Sequence, residues 1–377
     1  MSAAPTRELL VSRLWHETPD ILAVELRDPH GAALPPFEAG AHLDVHTPGG
    51  PVRPYSLCGD PADAAVWQIA VQREPDSRGG SRAMHERLRA GDRLTVGLPR
   101  QAFGLHDDPA PVLLLGGGNG ITPLLAMAET LHAQGRRFAL HLAVREPRAL
   151  AFADRLRVAS WADAVTVHCS QGADSPDARC SGLRMAGRLD LADALRQARV
   201  AAAIGIDGGT AGASAAAAGA QPTAPSAAPA ASSAPPATPH PRVYACGPQR
   251  LLQGLREAAQ AGGWPADRLH WEAFGADPAA AAAAADGQTR PFELVLVRSG
   301  RTLTVPVDRS ALQVMLEAGV PVLSSCEQGV CGSCLTRVVD GRPQHRDQYL
   351  TPEEQAAGDQ FLPCCSRAEG PRLVVDA

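Results

Sequence analysis

The chain has no run of 18 or more strongly apolar residues, the length a helix needs to cross a bilayer. Its opening, Met1-Ser-Ala-Ala-Pro-Thr-Arg-Glu8, lacks the apolar centre of a secretory leader, so the cytosol is the expected compartment. Positive charge is not in excess: a net charge of −5 and a pI near 6.2 argue against a nucleic-acid or anionic-membrane surface. No structural repeat is visible. Without a leader, the nine cysteines are not expected to form a disulfide framework and read as metal ligands plus buried thiols.

What the chain does have is a dense thiol motif. Cys326-Glu-Gln-Gly-Val-Cys331-Gly-Ser-Cys334 has C-x4-C-x2-C spacing, and Phe361-Leu-Pro-Cys364-Cys365-Ser-Arg367 supplies further thiols downstream. This is the spacing of a plant-type 2Fe-2S centre, whose fourth thiolate comes from distant sequence. Two irons bridged by sulfides need four thiolates from two sides, and Gly329 and Gly332 let backbone N–H groups turn toward the anionic cluster. Zinc on four cysteines is the alternative, but zinc ribbons use two C-x2-C pairs and only Cys331/Cys334 makes one here. Spacing alone does not separate Cys364 from Cys365.

At 377 residues, two or three domains are expected. The first part alternates short apolar and polar runs, such as Ile21–Arg27, His42–His46 and Val66–Gln72, between Pro, Gly and Asp turns, and reads as a small antiparallel β-barrel. Two stretches in it exceed a strand pattern. Arg53-Pro-Tyr55-Ser56 sets a guanidinium, a ring and a hydroxyl in one extended run, suited to a phosphate and a flat ring. Arg78-Gly79-Gly80-Ser81 leads into a helical stretch at Met84–Arg89, so that backbone N–H groups and the helix dipole face an anion.

Next, Pro111–Leu115 runs as an apolar strand through Gly116-Gly117-Gly118-Asn119-Gly120-Ile121-Thr122-Pro123 into a helix that stops at Gly135. This strand, phosphate-type loop and helix is neither the G-x-G-x-x-G dinucleotide fingerprint nor a P-loop, because no Lys-Ser/Thr follows. Further parallel strands are expected at Phe138–Val144, Val165–Cys169 and Val243–Cys246, with helices at Asp190–Gln197 and Leu251–Gln260: an α/β domain. Cys246-Gly247-Pro248 forms a sharp turn at the strand end where such sheets bind ligands. Ala201–Pro241, almost all Ala, Gly, Pro, Ser and Thr, reads as a disordered surface insertion, and 276–290 as a linker. From Pro291, a hairpin around Arg298–Arg301, a helix capped by Ser310, the cysteine loop, a capping box at Thr351-Pro-Glu-Glu354 and a final strand at Leu373–Val375 suit a β-grasp fold.

Together, R-x-Y-S, G-G-S, G-G-x-G-I-T-P, C-G-P and the cysteine spacing resemble the phthalate dioxygenase reductase family over nearly the whole chain. The C-terminal strings, with His345-Arg-Asp347, are most similar to reductase subunits of vanillate O-demethylases. The resemblance implies a multidomain β, α/β and α+β chain. Its parts would be an FMN-binding antiparallel β-barrel (1–107), a ferredoxin-reductase-type NAD-binding α/β domain (108–275) and a C-terminal 2Fe-2S ferredoxin domain (291–377). It implies that Arg53, Gly80 and Ser81 hold the FMN phosphate, that Tyr55 and Ser56 lie along the isoalloxazine, that Val71 flanks it and that Thr122 reaches it from the second domain. Gly117, Gly118 and Gly120 would line the pyrophosphate, Cys246, Gly247 and Pro248 would sit by the nicotinamide, and Phe274 would cover the flavin. Ser56, Thr122 and Cys246 would be the groups nearest the chemistry. Cys364 becomes the fourth cluster ligand beside Cys326, Cys331 and Cys334, leaving Cys365 with Cys58, Cys169 and Cys180 as small hydrophobes.

By the same resemblance, electrons pass from NADH to FMN to the cluster and then to a Rieske-type oxygenase acting on an aromatic acid, with the exit edge near Glu327 and Gln328. NADH is favoured over NADPH, although Arg145 and Arg148 after the second α/β strand could meet a 2′-phosphate. Two features depart from the family: Asn119 stands where an aliphatic residue is usual, and 201–241 is foreign to it. A redox-sensing protein and a zinc-bearing scaffold remain as alternatives.

Overall fold

The computed structural model describes residues 5–75, 79–101, 103–172, 178–204, 240–275, 289–324 and 326–377. Arg78, most of the expected linker and most of the low-complexity insertion lie outside these residues.

The first sheet contains β1 (Thr6–Thr18), β2 (Ile21–Arg27), β3 (Ala41–His46), β4 (Val52–Ser56), β5 (Trp67–Gln72), β6 (Arg93–Gly97) and β7 (Arg100–Gln101). Its order is β4-β3-β6-β1-β2-β5, antiparallel throughout, with β7 on β3. A bridge between Leu57 and Ile69 joins the ends of the order and closes the barrel. Helix α1 (Gly80–Arg87) packs beside β5. β2 is more buried than its alternating sequence suggests, with Ile21 to Val24 all inside, because the barrel and the next domain share one continuous apolar core.

The second sheet is parallel, in the order β11-β10-β9-β8-β12-β13. Its elements are β8 (Val112–Gly117), α2 (Ile121–Ala133), β9 (Phe138–Val144), α3 (Ala153–Val158), β10 (Val165–Cys169), β11 (Arg184–Ala186), α4 (Leu191–Ile204), β12 (Arg242–Gly247), α5 (Gln249–Ala261) and β13 (Leu269–Ala273). β8 is buried along its whole length, as a central parallel strand covered on both faces must be. The strand order grows away from β8 in one direction and from β12 in the other, so the ligand crevice of this sheet opens between them. Barrel and α/β domain are stapled by Phe152 N–H to Glu17 Oε2 (2.7 Å) and by Arg155, which donates to Cys58 O (2.5 Å) and pairs with Glu129 (3.0 Å).

The low-complexity stretch starts later than expected, since 201–204 continue α4. Its ends are held together: Arg199 lies 3.3 Å from His240 Nε2 and donates to Gly262 O, also at 3.3 Å. Both ends meet at the beginning of β12, whereas Cys246 lies near the other end of that six-residue strand, about 13 Å away at ~3.3 Å per residue. The insertion therefore attaches on the side of the sheet away from the crevice.

The third sheet, β15-β14-β20-β16-β18, is mixed. It comprises β14 (Phe292–Leu296), β15 (Arg301–Val305), β16 (Thr336–Asp340), β18 (Gln360–Phe361) and β20 (Arg372–Val375), with β14 parallel to β20 and the other pairs antiparallel. The two-residue β17 (Pro343–Gln344) and β19 (Arg367–Ala368) pair apart. Ala311 and Met315 of α6 (Ala311–Glu317) join the sheet's core, giving the β-grasp arrangement. Ser310 and Gln313 form a full capping box, as do Thr351 and Glu354 at α7 (Pro352–Ala357).

Candidate electron-transfer site

The cysteine loop leaves the β-grasp sheet between α6 and β16. Glu327, Gly329 and Gly332 all take left-handed backbone, with φ of 56°, 74° and 71°. The two glycines are also required by space. A Cβ on Gly332 would stand 2.3 Å from the Tyr349 ring, and one on Gly329 2.5 Å from Cys365 Sγ and 3.1 Å from Asp347 Cα. Within this turn the thiols come as two pairs in hydrogen-bonding contact, Cys326 with Cys331 and Cys334 with Cys364. The hydrogen bond from Cys326 holds Cys331 below the usual thiol range while Cys326 itself is pushed up, and Cys334 and Cys364 divide in the same way. Gln328 N–H donates to Cys326 Sγ at 3.3 Å, and Ser333 Oγ lies 3.3 Å from Cys331 Sγ.

Two separate thiol pairs fit two irons better than the single point on which a zinc ion would draw all four. Among the described residues no three potential ligand side chains close on one point. Cys364 also touches Cys365, whose own sulfur is directed to Leu362 O and Ser366 Oγ, each at 3.8 Å. Behind the loop, the buried Asp347 carboxylate accepts from Leu350 N–H (2.9 Å) and Ser366 Oγ (3.1 Å), with His345 Nδ1 at 3.2 Å. The sequence offered Asp347 only as part of a family string; its place as the anchor beneath Gly329 is a tertiary fact.

In the crevice, Gly118–Gly120 form a single 3-10 turn between β8 and α2. The three glycines divide their tasks. A Cβ on Gly120 would lie 2.1 Å from Cys246 O, and one on Gly117 2.9 Å from Pro248 and Leu251, so these two allow β12 to close on the loop. Gly118 is left-handed, with φ 55°, and has nothing within 4 Å of its Cβ position, so it alone faces open space. Gly247, at φ 151°, meets Gly117 backbone to backbone. Cys246 is fully buried, and burial, then the neighbouring Glu272, raises its thiol well above the usual range. Arg148 is paired with Glu146 at 2.7 Å, which takes up part of the charge that a 2′-phosphate would need.

On the barrel, Arg53 lies along the start of α1, its Cγ 3.0 Å from where a Gly80 Cβ would be; Gly79 before it is left-handed. The chain contains no lysine, so every permanently cationic side chain in it is a guanidinium. Ser81 Oγ accepts from Glu74 N–H at 3.2 Å. Ser56 and Val71 are buried, and burial pushes the Tyr55 phenol up to about 12. Thr122, 1% exposed, donates its hydroxyl to Asn119 O at 3.0 Å. Asn119 donates to Ala70 O of β5 at 3.4 Å while its Oδ1 is buried without a partner among the described residues, so this departure ties the loop to the barrel.

These regions converge. Glu272 of β13 lies in register with Cys246, and burial followed by the charge of Cys331 pushes its carboxyl up to about 8. Phe274, just beyond β13, is 36% exposed. Gln249 donates to Gln348 Oε1 at 2.6 Å across the α/β and ferredoxin parts. Arg53 Nη1 stands 3.8 Å from Glu327 Oε2. At the expected exit edge, Glu327 is turned toward the barrel with 47% of its side chain still exposed, and the nearest side-chain atom to a Cβ on Gly275 would be Gln328 Oε1, at 3.6 Å. Exposed apolar residues flank the cysteines elsewhere, at Leu323 and Leu335.

The 2Fe-2S iron-sulfur cluster binding domain family matches residues 295–369. The vanillate O-demethylase oxidoreductase of Pseudomonas sp. (strain HR199) is 38% identical over 369 residues, covering 98% of this chain and 99% of that protein. The phthalate dioxygenase reductase of Burkholderia cepacia is 36% identical over 358 residues, covering 95% and 93%. A solved phthalate dioxygenase reductase, described as a modular structure for electron transfer from pyridine nucleotides to a 2Fe-2S cluster, matches 99% of this chain and 98% of its own, with 34% identity and a TM-score of 0.66. With its closed barrel, parallel sheet and paired cysteines in the same single chain, the protein belongs to the phthalate dioxygenase reductase family of flavin and iron-sulfur oxidoreductases.

Proposed function

We propose that this chain is the NADH-dependent reductase of a Rieske-type oxygenase acting on an aromatic acid, and that it works in the cytosol in three units, 1–107, 108–275 and 291–377. The observation that carries the reading is the convergence of three sites, with Glu272 beside both Cys246 and Cys331 and with Arg53 reaching Glu327. No described helix is long and apolar enough to cross a membrane.

Bound FMN would supply the conversion of one hydride's electron pair into single electrons, and an iron-sulfur cluster would supply their relay. The chain's own work is placement. Arg53, Gly80 and Ser81 anchor the flavin phosphate; Tyr55, Ser56 and Val71 bound the ring on the barrel side, and Thr122 and Phe274 bound it from the α/β side. Gly118 offers backbone to the pyrophosphate, while Gly117 and Gly120 keep the crevice narrow by letting Cys246-Gly247-Pro248 close on it. Cys246, held as a neutral thiol by burial, presents no charge to the nicotinamide. Cys326 with Cys331 and Cys334 with Cys364 hold the two irons. No group needs to act as an acid or base on an organic substrate, because that substrate binds the partner. The partner docks beside Leu323 and Leu335 rather than at Glu327.

The test is spectroscopic and then biochemical. Purified protein should show flavin and iron-sulfur absorption, both bleached by NADH, and should sustain turnover of a purified aromatic-acid Rieske oxygenase. A colourless, iron-free protein sinks the electron-transfer reading. Rapid bleaching with delivery only to a haem oxygenase sinks the Rieske assignment alone.

A further inference from the structure

We infer that Glu327 is a charge lever between the flavin site and the cysteine loop: its carboxylate and the flavin phosphate draw on the same Arg53 guanidinium, so each weakens the hold of the other. The inference rests on the reading of Arg53 as the phosphate residue.

Glu327 lies in the cysteine loop and Arg53 on β4, 274 positions apart, yet Nη1 and Oε2 are 3.8 Å apart. The pair is not an ordinary surface contact. Only 16% of the Arg53 side chain is exposed, held between β4 and the start of α1, while Glu327 keeps 47% of its side chain in solvent. Glu327 makes this contact from a left-handed backbone, at φ 56°, a conformation that carries an energetic cost for any residue with a Cβ. In this loop Gly329 and Gly332 occupy the same region without that cost.

A guanidinium presents five N–H donors and can serve two anions, but a dianionic phosphate on Arg53 and the Glu327 carboxylate repel at a separation shorter than the ~8 Å Debye length of physiological salt. Removing the Glu327 charge must then tighten the binding of phosphate. By linkage, the factor by which Glu327 weakens FMN is the factor by which FMN loosens Glu327 from the barrel. Without the phosphate, the carboxylate stands 3.8 Å from Nη1 of Arg53, which also donates to Val52 O at 2.8 Å. In the loaded chain the cysteine loop is held less tightly on this side.

The test measures the affinity of the full chain for FMN and for riboflavin, which lacks the phosphate, by quenching of flavin fluorescence. E327Q and E327G are expected to bind FMN about three- to tenfold more tightly with riboflavin unchanged, and E327D to behave as the wild type. E327G is favoured by the left-handed backbone, so it guards against loss of fold, and iron-sulfur absorption reports that the loop is intact. If both neutral variants bind FMN no more tightly than wild type, or tighten riboflavin equally, the inference is overturned. R53Q separates this from the reading beneath it: it should erase the preference for FMN over riboflavin, and if it does not, the phosphate role of Arg53 itself falls.

Discussion

Glu272 and Cys246 face each other across the parallel register of β12 and β13, and Glu272 Oε2 is buried with no hydrogen-bond partner among the described residues. Burial, with a smaller contribution from Cys331, raises the carboxyl from 4.5 to about 8. A raised carboxyl contributes stability that is fully present below its unfolded value and is lost as pH climbs through the folded one. Between about pH 4.5 and 8 this one group should therefore lower stability, with a slope of up to about 1.4 kcal/mol per pH unit. E272Q should flatten that decline. Urea midpoints at pH 5, 6.5 and 8 check it, and parallel curves for variant and wild type would refute it.

Gly120 and Gly118 should respond to alanine for different reasons, one through a clash and the other through backbone strain alone. In G120A the new methyl carbon would lie 2.1 Å from Cys246 O, so β12 must move, at a cost of about 1–3 kcal/mol and with weakened NADH binding. G118A meets no atom within 4 Å and carries only the left-handed penalty of roughly 1–2 kcal/mol. Thermal melts with and without NADH distinguish the two.

The neighbouring thiols make a sharper pair. C364S should lose iron and the visible iron-sulfur bands, whereas C365S should retain both, since Cys364 approaches Cys334 and Cys365 turns to Leu362 O and Ser366. Iron retained in C364S and absent from C365S would reverse the assignment.

D347N replaces a buried acceptor for Leu350 N–H and Ser366 Oγ, and should cost about 1–3 kcal/mol. Burial works to raise this carboxyl, but His345, Leu350 N–H and Ser366 together hold it below its ordinary value. Its contribution is then present at neutral pH and lost as pH falls through the depressed folded value. The variant should be less stable than wild type at pH 7, with the gap closing in acid; a gap independent of pH would remove Asp347 as its cause.

Much of this was legible in the sequence because the signals are local. Alternating strands, Ser310 and Thr351 as helix caps, the glycine loop and the cysteine spacing each specify structure within a few residues. Glu272, Asp347 and the Arg53–Glu327 pair were not, because their meaning lies in what other segments bring against them. The glycines show the same limit: Gly117, Gly118 and Gly120 look alike in sequence, but only the approach of β12 separates the two that are needed for packing from the one left facing space. The contact of Glu327 with Arg53 was hidden for a related reason, since an acidic residue in an exposed loop gives no sign of which domain it faces.

The meeting of Arg199 with His240 makes the segment between them a removable parenthesis. Closing a loop costs entropy that grows only with the logarithm of its length, about 0.6 kcal/mol for each doubling. A chain joined by a tight turn there would keep its crevice and gain a little stability. The same junction could accept a different passenger, such as a fused oxygenase, on the side of the sheet where no electron has to travel.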